Sequence, residues 1–174
     1  MALIAAAVLI DDGRPVFFRQ RRLGYRRRPF SILKFRSMRD DRATRVGRVL
    51  RATGLDEIPQ FINILRGEMS AVGPRPLTEA DVQRLGWTGP DFDFRWKVRP
   101  GLTGLAQLVH AQSADDSLAL DRVYAARWNP LLDCRLIAMS FAVNVAGKSR
   151  IRARLRRSTL AAAGVGQAEE TEST

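Results

Sequence analysis

The stretch from Thr53 to Glu68 constrains the fold more than any other part of this sequence. Two acidic residues, Asp56 and Glu57, come directly before a set of apolar residues. Pro59 is compatible only with a first helical turn, where its missing N–H costs nothing. The apolar residues follow the i, i+3, i+4, i+7 spacing of a buried helix face: Ile58, Phe61, Ile62 and Leu65. The pattern predicts a helix with Asp56 at or next to its N-cap.

The acidic pair has two interpretations. In the structural one, Asp56 caps the helix and Glu57 favours its dipole. In the functional one, the pair lies at a helix N-terminus, where free N–H groups and partial positive charge suit a phosphate. The stretch alone favours the structural interpretation, because capping acids are common. We expect Gly67 to end the helix.

The charge balance predicts an anionic partner. The 174 residues include 29 lysines and arginines against 18 aspartates and glutamates, a formal net charge of +11. This surplus favours nucleic acid, an acidic membrane surface or a phosphorylated substrate. The length suits one domain with a sizeable core. Cys134 and His110 are the only residues of their types, which excludes a disulfide framework and a multi-histidine metal site. We expect His110 on the surface or in a loop.

The N-terminus begins with nine apolar residues, Ala2 to Ile10. As a helix, this segment would rise about 13–14 Å, less than half the thickness of a bilayer core. It has no basic region before it and no clear cleavage site after it, so we do not expect a signal peptide. A core helix, a strand and the remnant of a membrane-dipping segment all stay open.

Two β-forming runs, Pro15–Gln20 and Phe30–Arg36, predict a hairpin around a long basic loop. Lys34 and Arg36 lie two residues apart on the second run, so they project from one face. That face is either a solvated strand face or a pair of phosphate contacts.

Helices and two stiff loops account for most of the remaining chain. A Gly-Pro-Arg-Pro run fixes an extended backbone and directs Arg75, and an Arg-Pro-Gly run carries Arg99. The helix that leads into the acidic pair has a basic face with Arg48 and Arg51. The predicted helices are 44–52, 78–85, 117–128 and 131–145.

Two further segments carry alternative interpretations. Trp87, Phe92, Phe94 and Trp96 form either a satellite core or a membrane-interface surface. Residues 149–174 are first basic and then small and polar, which predicts a basic segment followed by a disordered tail. The basic segment is either solvated or in contact with anionic lipid headgroups.

Six motifs, in this order, resemble those of the bacterial sugar transferase family, the small monotopic phosphoglycosyl transferases. The motifs are Gly13–Gln20, Lys34–Met38, Leu55–Gln60, Gly67–Ser70, Val72–Pro76 and Arg99–Gly104. The resemblance covers residues 13–148 as a catalytic domain. It implies transfer of a sugar-1-phosphate from a nucleoside diphosphate sugar, expected to be a UDP-sugar, to a membrane polyprenol phosphate. That reaction initiates the assembly of a surface glycan.

The resemblance also implies a fold and a location. The expected fold is a single compact α+β unit, mostly helical, with a small β-hairpin. It would be monotopic at the cytoplasmic face of the bacterial inner membrane. Family members usually begin with a longer re-entrant membrane helix, so residues 1–12 would be a truncated remnant of it. A homo-oligomer stays open.

By the same resemblance, Asp56 would be the nucleophile that forms a covalent phosphosugar-enzyme. Glu57 would assist as the base toward polyprenol phosphate. Members use Mg²⁺, for which Asp56 is the candidate ligand. Lys34, Arg36, Arg75 and Arg99 are the candidate phosphate-binding residues. The candidate supporting residues are Arg48, Arg51, Gln60, Glu68, Pro76, Gly101 and Thr103.

Two other functions remain as alternatives. A nucleic-acid-binding module would account for the net charge and the arginine runs. However, the aromatic residues are not interleaved with basic ones in a known pattern, and an acidic pair lies centrally, so we expect no nucleic-acid partner. The other alternative is an inactive truncated homologue that acts as a peripheral membrane scaffold.

Overall fold

The computed structural model describes residues 1–145, which form a mixed helix and strand fold with small sheets. The α-helices are α1 Ala2–Asp12, α2 Arg45–Thr53, α3 Gln60–Leu65, α4 Glu79–Arg84, α5 Leu105–Val109, α6 Ala114–Arg127 and α7 Pro130–Val145. The strands are β1 Phe17–Leu23, β2 Pro29–Phe35, β3 Met38–Arg39, β4 Arg42–Ala43, β5 Ser70–Val72 and β6 Gly101–Thr103. Three short 3₁₀ helices cover Tyr25–Arg27, Leu55–Glu57 and Pro90–Lys97. The α+β class is therefore confirmed.

The predicted hairpin is present. β1 and β2 pair antiparallel, with Phe17 opposite Phe35 and Leu23 opposite Pro29. The first strand continues three residues beyond the predicted run, so the connection is shorter than expected. β3 and β4 form a second antiparallel pair, and β5 pairs with β6 in parallel.

The β5–β6 pair brings the two stiff loops into backbone contact. Ser70 lies opposite Gly101, and Val72 lies opposite Thr103. A Cβ atom on Gly73 would overlap the carbonyl oxygen of Arg99, and one on Gly101 would overlap the backbone nitrogen of Gly73. Only residues without side chains allow the two loops to approach this closely.

Helix α1 packs on the body of the protein. Its Val8 is buried with Phe35 of β2 and Leu50 of α2, while Leu3 and Ile10 point away from this contact and are exposed. Of the interpretations left open for this segment, the strand is excluded. Among residues 1–145, no helix combines the length and apolarity needed to cross a bilayer.

The aromatic segment belongs to the core. Trp87 and Trp96 are buried together with Leu77 and Val82, and the guanidinium of Arg95 contacts both indole rings. The satellite-core interpretation is confirmed for Trp87 and Trp96, whereas Phe92 and Phe94 are partly exposed and their place at a membrane interface stays a prediction.

The segment after Thr53 differs from the helix predicted there in two ways. Its acidic pair lies in the separate 3₁₀ turn Leu55–Glu57, and α3 has Pro59 as its N-cap. The prediction that Asp56 lies at or next to the N-cap of this helix is wrong, because Gly54, in the left-handed conformation at φ 74°, ends α2 and opens the 3₁₀ turn. Gly67, at φ 72°, follows the last turn of α3 as expected.

The second difference is the orientation of α3. Phe61 and Leu65 have relative exposures of 53% and 87%, whereas the polar Gln60 and Asn63 have 2% and 0%. The prediction that Phe61 and Leu65 are buried is therefore wrong. Helical periodicity defines an apolar face but does not specify what that face contacts.

The other predicted helices are confirmed with small shifts in their ends. For example, α6 begins at Ala114, because the hydroxyl of Ser113 accepts a 2.9 Å hydrogen bond from the backbone N–H of Asp116. The short helix α5 was not expected from the sequence. The predicted basic segment and tail, 149–174, lies outside the described residues.

Candidate active site

The 3₁₀ turn gives its two acidic residues different environments. Glu57 is half-exposed and pairs with Lys34 of β2, at 2.5 Å between Oε1 and Nζ. Asp56 has a relative exposure of 8%, and its carboxylate accepts no hydrogen bond from any other residue in the described chain. Adjacent residues of a helical turn do not face each other, so only one of the two acids is neutralised by direct contact.

Burial raises the pKa of the Asp56 carboxyl, and the neighbouring charge of Glu57 raises it further. Lys34 and Arg51 act against this shift. Arg51, predicted as a supporting residue, therefore acts on the Asp56 carboxyl through its positive charge. The arrangement holds the carboxylate of Asp56 between like and opposite charges, with no hydrogen bond from another residue of the described chain.

A pocket opens beside Glu57 and is lined by side chains from both stiff loops, the hairpin and α5. It contains six of the residues predicted for the site: Lys34, Glu57, Gln60, Arg75, Pro76 and Gly101. Asp56 is not one of the lining residues and lies directly before one of them in the turn. The pocket is thus rich in cations next to the acidic turn.

Arg75 is presented to this pocket by a buried loop. Gly73, Pro74 and Pro76 are buried, whereas Arg75 is exposed. Its guanidinium forms no hydrogen bond or ion pair within residues 1–145, although its backbone carbonyl accepts one from Arg95. An uncompensated cation on a stiff backbone is suited to binding an anionic group.

The remaining predicted site residues lie elsewhere. Arg36 pairs with Asp12 at 2.8 Å and donates to three backbone carbonyls around the end of α1. Arg48 and Arg99 are exposed and do not line the pocket. Thr103 bonds to Ser140 at 2.7 Å. Arg36 therefore anchors α1 in this structure, and a phosphate-binding role for Arg36 or Arg99 stays a prediction.

The sequence of this chain is similar to those of known proteins. The sequence profile described as Bacterial sugar transferase matches residues 1–147. The chain belongs to the bacterial sugar transferase family. Three relatives show how far the similarity extends. The first is a UDP-glucose:undecaprenyl-phosphate glucose-1-phosphate transferase of Caulobacter vibrioides, 37% identical over an alignment of 158 residues; the match covers 79% of this chain and 59% of that one.

The second relative is a UDP-N-acetylgalactosamine-undecaprenyl-phosphate N-acetylgalactosaminephosphotransferase of Aeromonas hydrophila. It is 43% identical over an alignment of 129 residues, and the match covers 65% of this chain and 30% of that one. The third is the uncharacterized sugar transferase EpsL of Bacillus subtilis, 36% identical over an alignment of 149 residues; the match covers 78% of this chain and 72% of that one. The chain thus spans less than two thirds of the length of the first two.

In this family member, three polar residues of the pocket were not predicted from the sequence: Arg22, Gln107 and His110. His110 is exposed, as expected, and has a left-handed backbone at φ 55° at the end of α5. Its position shortly after the Arg-Pro-Gly loop was the available signal. Arg22 carried no comparable signal, because it lies in a run of basic residues on β1.

Asn63 ties the acidic turn to the hairpin. Its side-chain oxygen accepts a 3.1 Å hydrogen bond from the backbone N–H of Leu33. Its amide nitrogen donates to the carbonyl of Ser31 at 2.8 Å and to Glu68 at 2.6 Å. Since Lys34 follows Leu33 on β2, these hydrogen bonds hold the backbone of Lys34 at a fixed distance from Glu57.

The described residues contain no group of three or more His, Cys, Asp or Glu side chains that could hold a metal ion. Among the residues that the structure describes, Asp56 and Glu57 are the carboxylates of the acidic turn beside the pocket. Mg²⁺ needs one or two protein carboxylates when substrate phosphates supply other ligands, so the donor set fits a magnesium site that is completed by substrate.

Replacing Asn63 by alanine should destabilise the protein by about 2–3 kcal/mol, because it leaves buried backbone and side-chain partners unsatisfied. Urea unfolding followed by circular dichroism measures the change. The control is Asn129→Ala, which removes a 2.9 Å bond to the N–H of Leu132 at an exposed helix start and should cost only about 1 kcal/mol. Equal small losses in both variants would contradict the network's role.

Proposed function

We propose that this protein transfers a sugar-1-phosphate from a UDP-sugar to a membrane polyprenol phosphate through a covalent aspartyl-phosphosugar. The observation that carries the proposal is the carboxylate of the buried Asp56, which no other residue of the described chain hydrogen-bonds, next to a pocket in which Lys34 and Arg75 converge. The names of the Caulobacter and Aeromonas relatives, which describe transfer from UDP-sugars to undecaprenyl phosphate, support the same substrates.

In the first step, a carboxylate oxygen of Asp56 attacks the phosphorus that carries the sugar. The new O–P bond forms as the bond between that phosphorus and the bridging oxygen breaks, and UMP leaves with the electron pair. Carboxylates act in this way in covalent phosphoryl transfer. The main requirement is neutralisation of phosphate charge, which Lys34, Arg75 and Arg22 would provide from the pocket walls.

In the second step, a phosphate oxygen of the polyprenol phosphate attacks the same phosphorus. The bond to Asp56 breaks, and its carboxylate is regenerated. Glu57 accepts the proton that the polyprenol phosphate loses, and Lys34 keeps the Glu57 carboxylate oriented at 2.5 Å. The two acids thus divide the work as nucleophile and base.

Mg²⁺ fits this site as a substrate-bound cofactor, with Asp56 as the protein ligand. When bound, it would neutralise charge on the phosphates of the donor. The residues of the chain itself bind the phosphates, supply the nucleophile and accept the proton.

The exposed face of α3 supports membrane association. Phe61 lies four residues after Glu57, and Leu65 lies one helical turn beyond Phe61. Both side chains are exposed. Leu3 and Ile10 of α1 are similarly exposed. We infer that these residues contact lipid at the cytoplasmic face of the bacterial inner membrane. Such a position would bring the acidic turn close to a lipid acceptor while the pocket takes a water-soluble donor.

Incubation with UDP-glucose should add the mass of one hexose phosphate to the wild-type protein, as seen by intact-protein mass spectrometry. Asp56→Asn should give no adduct, because an amide oxygen is a poor nucleophile. The matched control is Glu57→Gln, which should still form the adduct and then fail to pass it to polyprenol phosphate. An undiminished adduct in Asp56→Asn would contradict the assignment of the nucleophile.

Replacing both Phe61 and Leu65 by glutamate should weaken binding to phosphatidylethanolamine–phosphatidylglycerol vesicles by at least roughly tenfold, since burying one such side chain is worth about 1.5–3 kcal/mol. Vesicle co-sedimentation measures the change. Ala80→Glu, at an exposed position of α4, is the control for added negative charge. Unchanged binding of the double variant would contradict the lipid contact.

A further inference from the structure

A buried ion pair lies behind the pocket, between residues that do not line it. The Nε atom of Arg95 lies 2.8 Å from a carboxylate oxygen of Asp121, and the two side chains have relative exposures of 2% and 3%. Arg95 comes from the 3₁₀ helix Pro90–Lys97, and Asp121 comes from α6. The reaction proposed above uses neither residue.

The environment makes this pair costly to keep. Burial raises the pKa of the Asp121 carboxyl, and only Arg95 opposes that shift. The guanidinium of Arg95 is enclosed by the indole rings of Trp87 and Trp96, with its carbon 5.4 and 5.5 Å from their centroids. Well-packed apolar residues often replace such pairs without loss of stability, so the pair is not explained by folding alone.

The Arg95 guanidinium also contacts the loop that carries Arg75. Its Nη2 atom donates a 2.5 Å hydrogen bond to the backbone carbonyl of Arg75. The next carbonyl, that of Pro76, accepts a 3.1 Å hydrogen bond from Arg22, which in turn pairs with Asp81 at 3.4 Å. Two guanidiniums thus hold consecutive carbonyls of the loop that presents the exposed Arg75.

Prolines on both sides restrict this loop but do not fix its position relative to the pocket. Pro74 and Pro76 limit the backbone dihedrals of the loop, whereas its placement depends on contacts with the rest of the fold. Arg95 supplies such a contact from the core, and its planar fork reaches Asp121 and the Arg75 carbonyl at the same time.

We propose that Arg95 and Asp121 are positioning residues that aim the guanidinium of Arg75 at the diphosphate of the donor. This proposal rests on the proposed function only for the identity of the ligand. Asp121 orients Arg95, Arg95 holds the backbone of Arg75, and Arg75 contacts the anion. Neither Arg95 nor Asp121 contacts substrate.

A double-mutant cycle tests the proposal, because residues that act through one another give non-additive effects. One arm is Arg75→Ala, and the other replaces the pair together, Arg95→Met with Asp121→Leu, so that no buried charge is left alone. Affinity for UDP is measured by isothermal titration calorimetry. Each arm alone should weaken binding by roughly tenfold, the effect of about 1.4 kcal/mol.

In the Arg75→Ala background, replacing the pair should weaken UDP binding by no more than about twofold further, since the residue that it positions is already gone. If the losses of UDP affinity in the two arms instead multiply when the arms are combined, the positioning role is overturned. Arg122→Met is the matched control: Arg122 neighbours Asp121 on α6 and contacts the same 3₁₀ segment through Asp91 and Phe94. It should leave UDP affinity unchanged, and a loss equal to that of the pair would also overturn the proposal.

A second variant and a second assay complete the test. If the double replacement does not fold, Arg95→Lys serves as the second arm, because it keeps a cation beside Asp121 but lacks the planar fork. The same variants are assayed for UMP release from UDP-glucose. A non-additive binding cycle without any UMP release would contradict the proposed reaction while supporting the role of the pair.

Discussion

The contact between Lys34 and Glu57 connects the two halves of the site. It joins the hairpin to the acidic 3₁₀ turn, and the pocket opens beside it. A half-exposed ion pair of this kind contributes only about 0–1 kcal/mol to stability. Its importance lies in placement, which depends on the buried amide of Asn63 behind it. Asn63 holds β2 against α3 and thereby sets where Lys34 and Glu57 meet.

The opposite wall of the pocket depends on close backbone packing. Gly73 and Gly101 allow two proline-stiffened loops to run side by side through β5 and β6. This contact places Arg75 in the same pocket as Lys34, although the two residues are far apart in sequence. The pocket therefore places fixed cations next to the turn that carries Asp56, whose carboxylate accepts no hydrogen bond from another residue of the described chain, and this combination suits a phosphoryl group that is transferred to the protein.

Local signals in the sequence predicted the hairpin, most helices and the stiff loop of Arg75, because proline, glycine and short-range periodicity determine these features. They did not predict the outward face of Phe61 and Leu65, since periodicity does not distinguish a core from another apolar environment. The burial of Trp87 with Trp96 was left as one of two interpretations, because it depends on contacts distant in sequence. His110 was assigned only to the surface for the same reason: its place beside the pocket results from how α5 follows β6.

The central claim is that the sugar phosphate passes through the protein itself before it reaches lipid. Isotope exchange tests this claim most directly: radiolabelled UMP is incubated with UDP-glucose and the protein in the absence of polyprenol phosphate. A covalent intermediate predicts that label enters UDP-glucose under these conditions, as in other ping-pong reactions. Exchange that occurs only when polyprenol phosphate is present would show direct transfer between the two substrates and would contradict the account.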